Sequence, residues 1–165
     1  MSQRLKRART RRTIFAALAV TFAFGSAIAH DFKAGSLTID HPAVSPTRGS
    51  VANNAGYLTI INTGPQADRL LSASSPDAAR VEVHEHARNQ NGLMAMRPVR
   101  GGVSIPARGR VQFAPGGLHL MIYSPKAPLR DGGYFPITLT FERAGNVDVV
   151  AMVETPSPAT KRHAY

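Results

Sequence analysis

Cysteine is absent from all 165 residues. That excludes a disulfide framework, a thiolate metal site and the cysteine of a lipobox anchor. Long apolar runs are also missing. The longest, IFAALAVTFAFG from Ile14 to Gly25, has about 12 residues, short of the roughly 20 that span a bilayer. Acidic residues are few, 10 against 20 basic, and none lies in the first 29 positions. No zinc-protease HExxH, no GxSxG elbow and no Walker-type glycine loop occurs, and neither Ser104 nor Ser124 has a suitable base pattern beside it. The usual hydrolytic and nucleotide-dependent chemistries therefore have no motif to stand on.

What is present begins with an export signal. Arg4, Lys6, Arg7, Arg9, Arg11 and Arg12 form a basic stretch ahead of the apolar run, and Ala27-Ile28-Ala29 closes it as a small-x-small site. Residues 1–29 read as a cleaved signal peptide, which predicts a periplasmic protein that is not membrane-embedded. Thr10-Arg11-Arg12-Thr13 leaves Sec and twin-arginine export both open. Removing these residues takes away six of the basic charges, leaving 14 basic against 10 acidic, a net of +4. The high isoelectric point thus belongs mostly to the signal. No basic stripe with interleaved aromatics remains, so no nucleic-acid partner is expected.

The remaining 136 residues suffice for one domain with a real core. Short β-branched runs alternate with glycine and proline: residues 36–40, 56–62, 69–73, 79–86, 94–99, 103–105, 110–113, 118–123, 135–142 and 147–154. Ala144-Gly145-Asn146 marks a hairpin between the last two. No run has useful helical spacing, which predicts an all-β sandwich or barrel over residues 30–154. Residues 155–165, TPSPATKRHAY, read as a flexible C-terminal tail.

The chemistry concentrates in HEHARNQNGLMAM, His84 to Met96, and in HLM, His119 to Met121. On a strand, residues i and i+2 share a face about 7 Å apart. His84 and His86, Met94 and Met96, and His119 and Met121 are then three same-face pairs of metal-capable side chains. Methionine is more often core filling, and a lone strand histidine is more often structural. Clustering argues otherwise: three of the four methionines after the signal lie between Met94 and Met121. Met152, inside an apolar strand, is expected in the core, and His41, before Pro42 at a strand end, is expected to be structural. Glu82 and Glu85 are expected to face away from the histidines. Neutral thioethers are soft donors that select monovalent copper, and imidazole suits copper as well, so the expected cargo is Cu(I).

HEH…MAMRPV followed by FAPGGLHLMIY resembles the periplasmic copper chaperones of the PCu(A)C family, and DFKAGSLTIDHP, AGYLTIINTG and FPITLTFERAG extend the resemblance over nearly the whole chain after the signal. The resemblance implies a cupredoxin-like Greek-key β-sandwich or barrel. It implies copper, as Cu(I), held by His84, Met96, His119 and Met121, with His86 and Met94 flanking. It further implies delivery to the subunit of cytochrome c oxidase that carries the Cu-A site, with Sco-type thiol copper proteins as co-workers, and no catalysis. His86 stands where many family members have methionine. Copper scavenging or storage for homeostasis or resistance would use the same ligands. A third reading makes His30 a new amino terminus that chelates Cu(II), as in oxidative copper enzymes, with His30 and His163 as a weaker auxiliary Cu(II) site.

Overall fold

The computed structural model describes residues 31–50, 53–88 and 92–156. The segment read as a signal peptide, His30, residues 89–91, and the end of the chain with His163 lie outside the described residues. Eleven strands run from Asp31 to Val153: β1 (Asp31–Ala34), β2 (Leu37–Val44), β3 (Asn53–Asn62), β4 (Asp68–Ser74), β5 (Ala78–Arg88), β6 (Met94–Pro98), β7 (Val103–Ile105), β8 (Gly109–Phe113), β9 (Leu118–Pro125), β10 (Tyr134–Phe141) and β11 (Gly145–Val153). Among the described residues there is no helix, and so none long and apolar enough to cross a membrane.

The pairings close on themselves. β5 pairs with β9, β9 with β3, β3 with β2, β2 with β11, β11 with β10 and β10 with β4. β4 then returns to β5 through Ala73 and Val81. Most neighbours in this ring are not consecutive in the chain, as in a Greek key, and closure leaves few free edges. β6 remains outside the ring, hydrogen-bonded to β5 at the end of the sheet.

Alternation explains the core. In β3 and β10, buried and half-buried residues alternate along the strand. The inward set includes Ile39, Ile60, Leu120, Ile122, Leu139 and Val149, each nearly sealed from solvent. Around the site strands, Val81 and Val83 of β5 face Leu120 and Ile122 of β9 across the barrel wall's inner surface. Gly56 of β3 lets Leu120 pack close here: a Cβ at that position would stand 3.1 Å from Leu120 Cβ, a tight contact.

Every strand expected from the alternation exists, and β1 is additional. Its four residues, DFKA, are too short to declare a period. They are held by register with β2 through a two-residue turn, Gly35-Ser36, in which Gly35 takes φ +60°. Two expectations change. His41 lies inside β2, where the register with β3 shifts between Asp40 and Ala43, and it adopts φ 47°. Its Nε2 pairs with Glu154 at 2.8 Å, which makes it a structural residue of a bulge. Met152 is only half-buried, because Ala151 and Val153 take the inward phase of β11 and turn it outward.

Leu120 sits between His119 and Met121 and is fully buried. Leu120→Ala should therefore lower unfolding stability by about 2–5 kcal/mol, read from urea denaturation of the metal-free protein. A loss well under 1 kcal/mol would contradict the packing described.

Candidate metal centre

The wall formed by β6, β5, β9 and β3 has two faces of opposite character. Its inner face is the apolar core. Its outer face carries the chemistry-bearing residues, because they fall on the other phase of the same strands. His84 on β5 and His119 on β9 are direct cross-strand partners, with ring centroids 6.0 Å apart. One pair further along β9, Met121 lies opposite Glu82 on β5 and Ala55 on β3. In the other direction, His86 lies opposite Met96 on β6, and Arg88 opposite Met94. His84 is opposite Pro98, so Met96 is its diagonal neighbour, a span of roughly 7–8 Å that a long side chain covers.

The two histidines are buried although they point away from the core: His84 is 7% exposed and His119 4%. The His86 ring packs edge-on against His119, with centroids 5.2 Å apart. Tyr123 packs at 6.2 Å from His84 on the other side. Met121 is half-buried, while Met96 and Met94 are exposed by 47% and 58%. All five residues of β6 are exposed. The arrangement is thus a sealed imidazole pair with one thioether beside it and two more on an open edge strand.

Hydrogen bonds fix how each ring presents itself. His119 Nδ1 donates to the Gly117 carbonyl at 3.1 Å, which leaves Nε2 with its lone pair. Burial pushes the His119 pKa down; the Gly117 bond opposes this and the neighbouring His86 and His84 reinforce it. The ring is therefore held neutral and able to donate electrons. His84 Nε2 donates to the Glu82 carboxylate at 3.0 Å and lies 3.3 Å from the Tyr123 hydroxyl. His84 Nδ1 and His119 Nε2 are then left buried with no hydrogen-bond partner. Buried polar atoms are nearly always satisfied, and each orphan costs about 1–3 kcal/mol. Two such nitrogens on rings paired across neighbouring strands have the chemistry to bind a soft or borderline metal ion. Among the described residues no three His, Cys, Asp or Glu side chains gather as a metal-holding group. The other metal-capable side chains on this face are the thioethers of Met121 and Met96.

Glu82 was expected to face away, and the structure reverses this. Residues 82, 84 and 86 share one phase of β5, and the carboxylate touches His84 directly. Counting the alternation back by two residues finds it, and counting forward from Met121 finds Tyr123. Glu85 does face the other way and pairs with Arg97 at 2.8 Å.

A family model described as LpqE-like, a putative lipoprotein family, matches residues 37–153. An uncharacterised protein of Rickettsia prowazekii is 33% identical over 123 residues, which is 73% of this chain and 67% of that protein. A putative lipoprotein of Leifsonia xyli is 31% identical over 109 residues, 66% of this chain and 65% of its own length. The chain therefore spans about two thirds of these relatives. Among solved structures, the copper-bound PCuAC domain from PmoF2 is 28% identical with a TM-score of 0.64, covering 77% of this chain and 99% of that one. The apo PCuAC domain from PmoF1 is also 28% identical, with a TM-score of 0.65, covering 77% and 100%. The Cu(I) form of DR1885 from Deinococcus radiodurans is 28% identical with a TM-score of 0.54, covering 68% and 74%. The all-β fold is thus the cupredoxin-like fold of PCuAC domains.

A buried ring nitrogen without a partner should weaken the metal-free fold. His119→Phe keeps a planar ring and removes the orphan, and the Gly117 carbonyl still accepts the His86 N–H. Stability of the metal-free variant should be unchanged or higher by up to about 1–3 kcal/mol, measured by urea denaturation. A clear loss would make His119 a structural residue.

Proposed function

Because the chain belongs to the LpqE-like family and shares the PCuAC fold, we propose that it is an exported Cu(I) carrier that hands copper to thiol-bearing acceptors. The observation that carries this reading is the pair of buried, unpartnered nitrogens, His84 Nδ1 and His119 Nε2, on rings paired across β5 and β9, on a wall flanked by methionines. We assign copper to His84, Met96, His119 and Met121, with His86 and Met94 beside it. Two neutral imidazoles and two neutral thioethers add no charge and are soft, which favours Cu(I) over Cu(II), zinc or calcium. The absence of cysteine fits an oxidising compartment outside the cytoplasm, where thiols pair into disulfides and thioethers do not.

The exposure of Met96 and of all β6 supports exchange. A carrier needs a site an acceptor can reach, and it needs ligands weaker than the acceptor's. Thioether lacks the charge of thiolate, so a reduced CxxxC site should win the copper. The acceptors that fit are Sco-type thiol proteins and the Cu-A subunit of cytochrome c oxidase. The LpqE-like match and the export reading of residues 1–29 support a periplasmic location.

Three outcomes test the reading. Replacing both Met96 and Met121 with leucine keeps volume and apolarity, so folding should survive. Cu(I) affinity, measured by competition with a chromophoric chelator, should fall by about 100-fold, which is about 2.8 kcal/mol; unchanged affinity would remove both methionines from the ligand set. His86→Met should keep Cu(I) bound, since His86 is exposed beside the sealed pair; complete loss in the same assay would make it a ligand. Copper-loaded protein mixed with a reduced CxxxC peptide should lose copper to it, and keep copper when the peptide is oxidised, because a disulfide offers no thiolate. Copper remaining wholly with this chain would point to storage.

A further inference from the structure

The copper reading says which residues bind, and the hydrogen bonds go further, to which nitrogen of each ring. We propose that Glu82 is a positioning residue that forces His84 to present Nδ1 while His119 presents Nε2, so that the two imidazoles grip the ion through unlike ring nitrogens. The inference rests on the Cu(I)-carrier reading.

The argument is one of donors and acceptors. Gly117 O is a carbonyl, which only accepts, so the proton on the His119 ring sits on Nδ1 at 3.1 Å from it. Glu82 is an ionised carboxylate, which also only accepts. Its other oxygen is ion-paired to the Arg80 guanidinium, which keeps it an acceptor toward His84. The proton on the His84 ring therefore sits on Nε2, 3.0 Å from Glu82 Oε2. One ring is protonated at Nδ1 and the other at Nε2, and in each the opposite nitrogen is the buried atom without a partner. Two independent acceptors, a backbone carbonyl and a carboxylate, thus select complementary tautomers on neighbouring rings.

Glu82 is itself held in place. Arg80 Nε donates to its other oxygen, Oε1, at 3.0 Å. The Arg80 guanidinium lies 4.3 Å over the Tyr123 ring, and the Tyr123 hydroxyl, which also hydrogen-bonds Glu82, lies 3.3 Å from His84 Nε2. Arg80 and Tyr123 are cross-strand partners on the same outer face as Glu82 and His84. The clamp is therefore built into the register. A carboxylate behind a ligating imidazole fixes ring orientation and raises its basicity, and its loss typically lowers metal affinity by 10–100-fold. A carboxylate engaged only in an ion pair with Arg80 would do neither.

Imidazole nitrogen NMR on the uniformly 15N-labelled protein reads the tautomers directly. Without metal, His84 should carry its proton on Nε2 and His119 on Nδ1. Loading with Ag(I), a Cu(I) surrogate with spin-half nuclei, should split the Nδ1 signal of His84 and the Nε2 signal of His119. Glu82→Gln should let His84 populate both tautomers and should lower Cu(I) affinity by about 10–100-fold, with His119 unchanged. A proton on Nδ1 of His84, Ag(I) splitting at its Nε2, or a Gln variant with wild-type affinity and tautomer would each overturn the positioning role. Wild-type protein that binds neither Cu(I) nor Ag(I) would instead overturn the carrier reading. Should the Gln variant fail to fold, the two wild-type spectra still decide the matter.

Discussion

The antiparallel register of β5 on β9 is the constraint from which the site follows. It sets His84 against His119 on the outer face and Val83 against Leu120 on the inner one. Strand periodicity is two, so slipping β5 by one residue against β9 would send His84 into the core and Val81 and Val83 into solvent. The core therefore fixes the donors. Burying Val81, Val83, Leu120 and Ile122 holds the strands in the single register that sets the two rings side by side. At roughly 25 cal/mol per Å² of apolar surface, slipping this register would cost far more than two unsatisfied nitrogens. The fold can thus hold a locally unfavourable arrangement ready for an ion.

Sealing and openness are divided between strands. Rigid, ring-paired β5 and β9 supply the imidazoles, which are buried under His86 and Tyr123. β6, paired among the described residues with β5 alone and exposed along its length, supplies Met96. Edge strands with few buried contacts open at low free energy, whereas core strands open only with global unfolding. On the carrier reading, the imidazole pair is preorganised and the edge thioether is the donor most easily replaced by an incoming thiolate. Entry and release would then start at Met96.

The strand layout was legible because alternation is a local signal: Phe135 to Phe141 and Val147 to Val153 declare their phase without help from neighbours. β1 was not legible, since four residues cannot show a period and only pairing with β2 makes them a strand. The metal-capable pairs were legible from i, i+2 spacing alone. Their convergence was not, because it depends on β5, β6 and β9 lying side by side, which no local pattern states. Glu82 was readable and was misassigned: it shares the phase of His84, and the periodicity that grouped His84 with His86 includes it. Met152 was misplaced for a similar reason, since an apolar run such as VDVVAMV hides which phase is inward until Ala151 is seen to be fully buried. His41 at φ 47° reflects a bulge set by pairing with β3, and sequence offers no sign of it beyond the following proline.

Protonation is the level of detail that lay furthest from the sequence. Histidine reads identically whichever nitrogen carries its proton, so the residue string can name two imidazoles without saying which atoms they offer. The answer comes from acceptors that differ in kind. Gly117 contributes a backbone carbonyl placed by the turn before β9, and the positive φ of Gly116 helps shape that turn. Glu82 contributes a side chain two residues up its own strand. The first acceptor is neutral and the second charged, so the two rings are held by partners of different kinds. With thioethers neutral, Glu82 is the negative charge nearest the sealed pair that is in contact with a ring. On the carrier reading it offsets the charge of Cu(I) through His84 without itself coordinating, so the ion is held by four soft or borderline neutral atoms and remains open to capture by a thiolate.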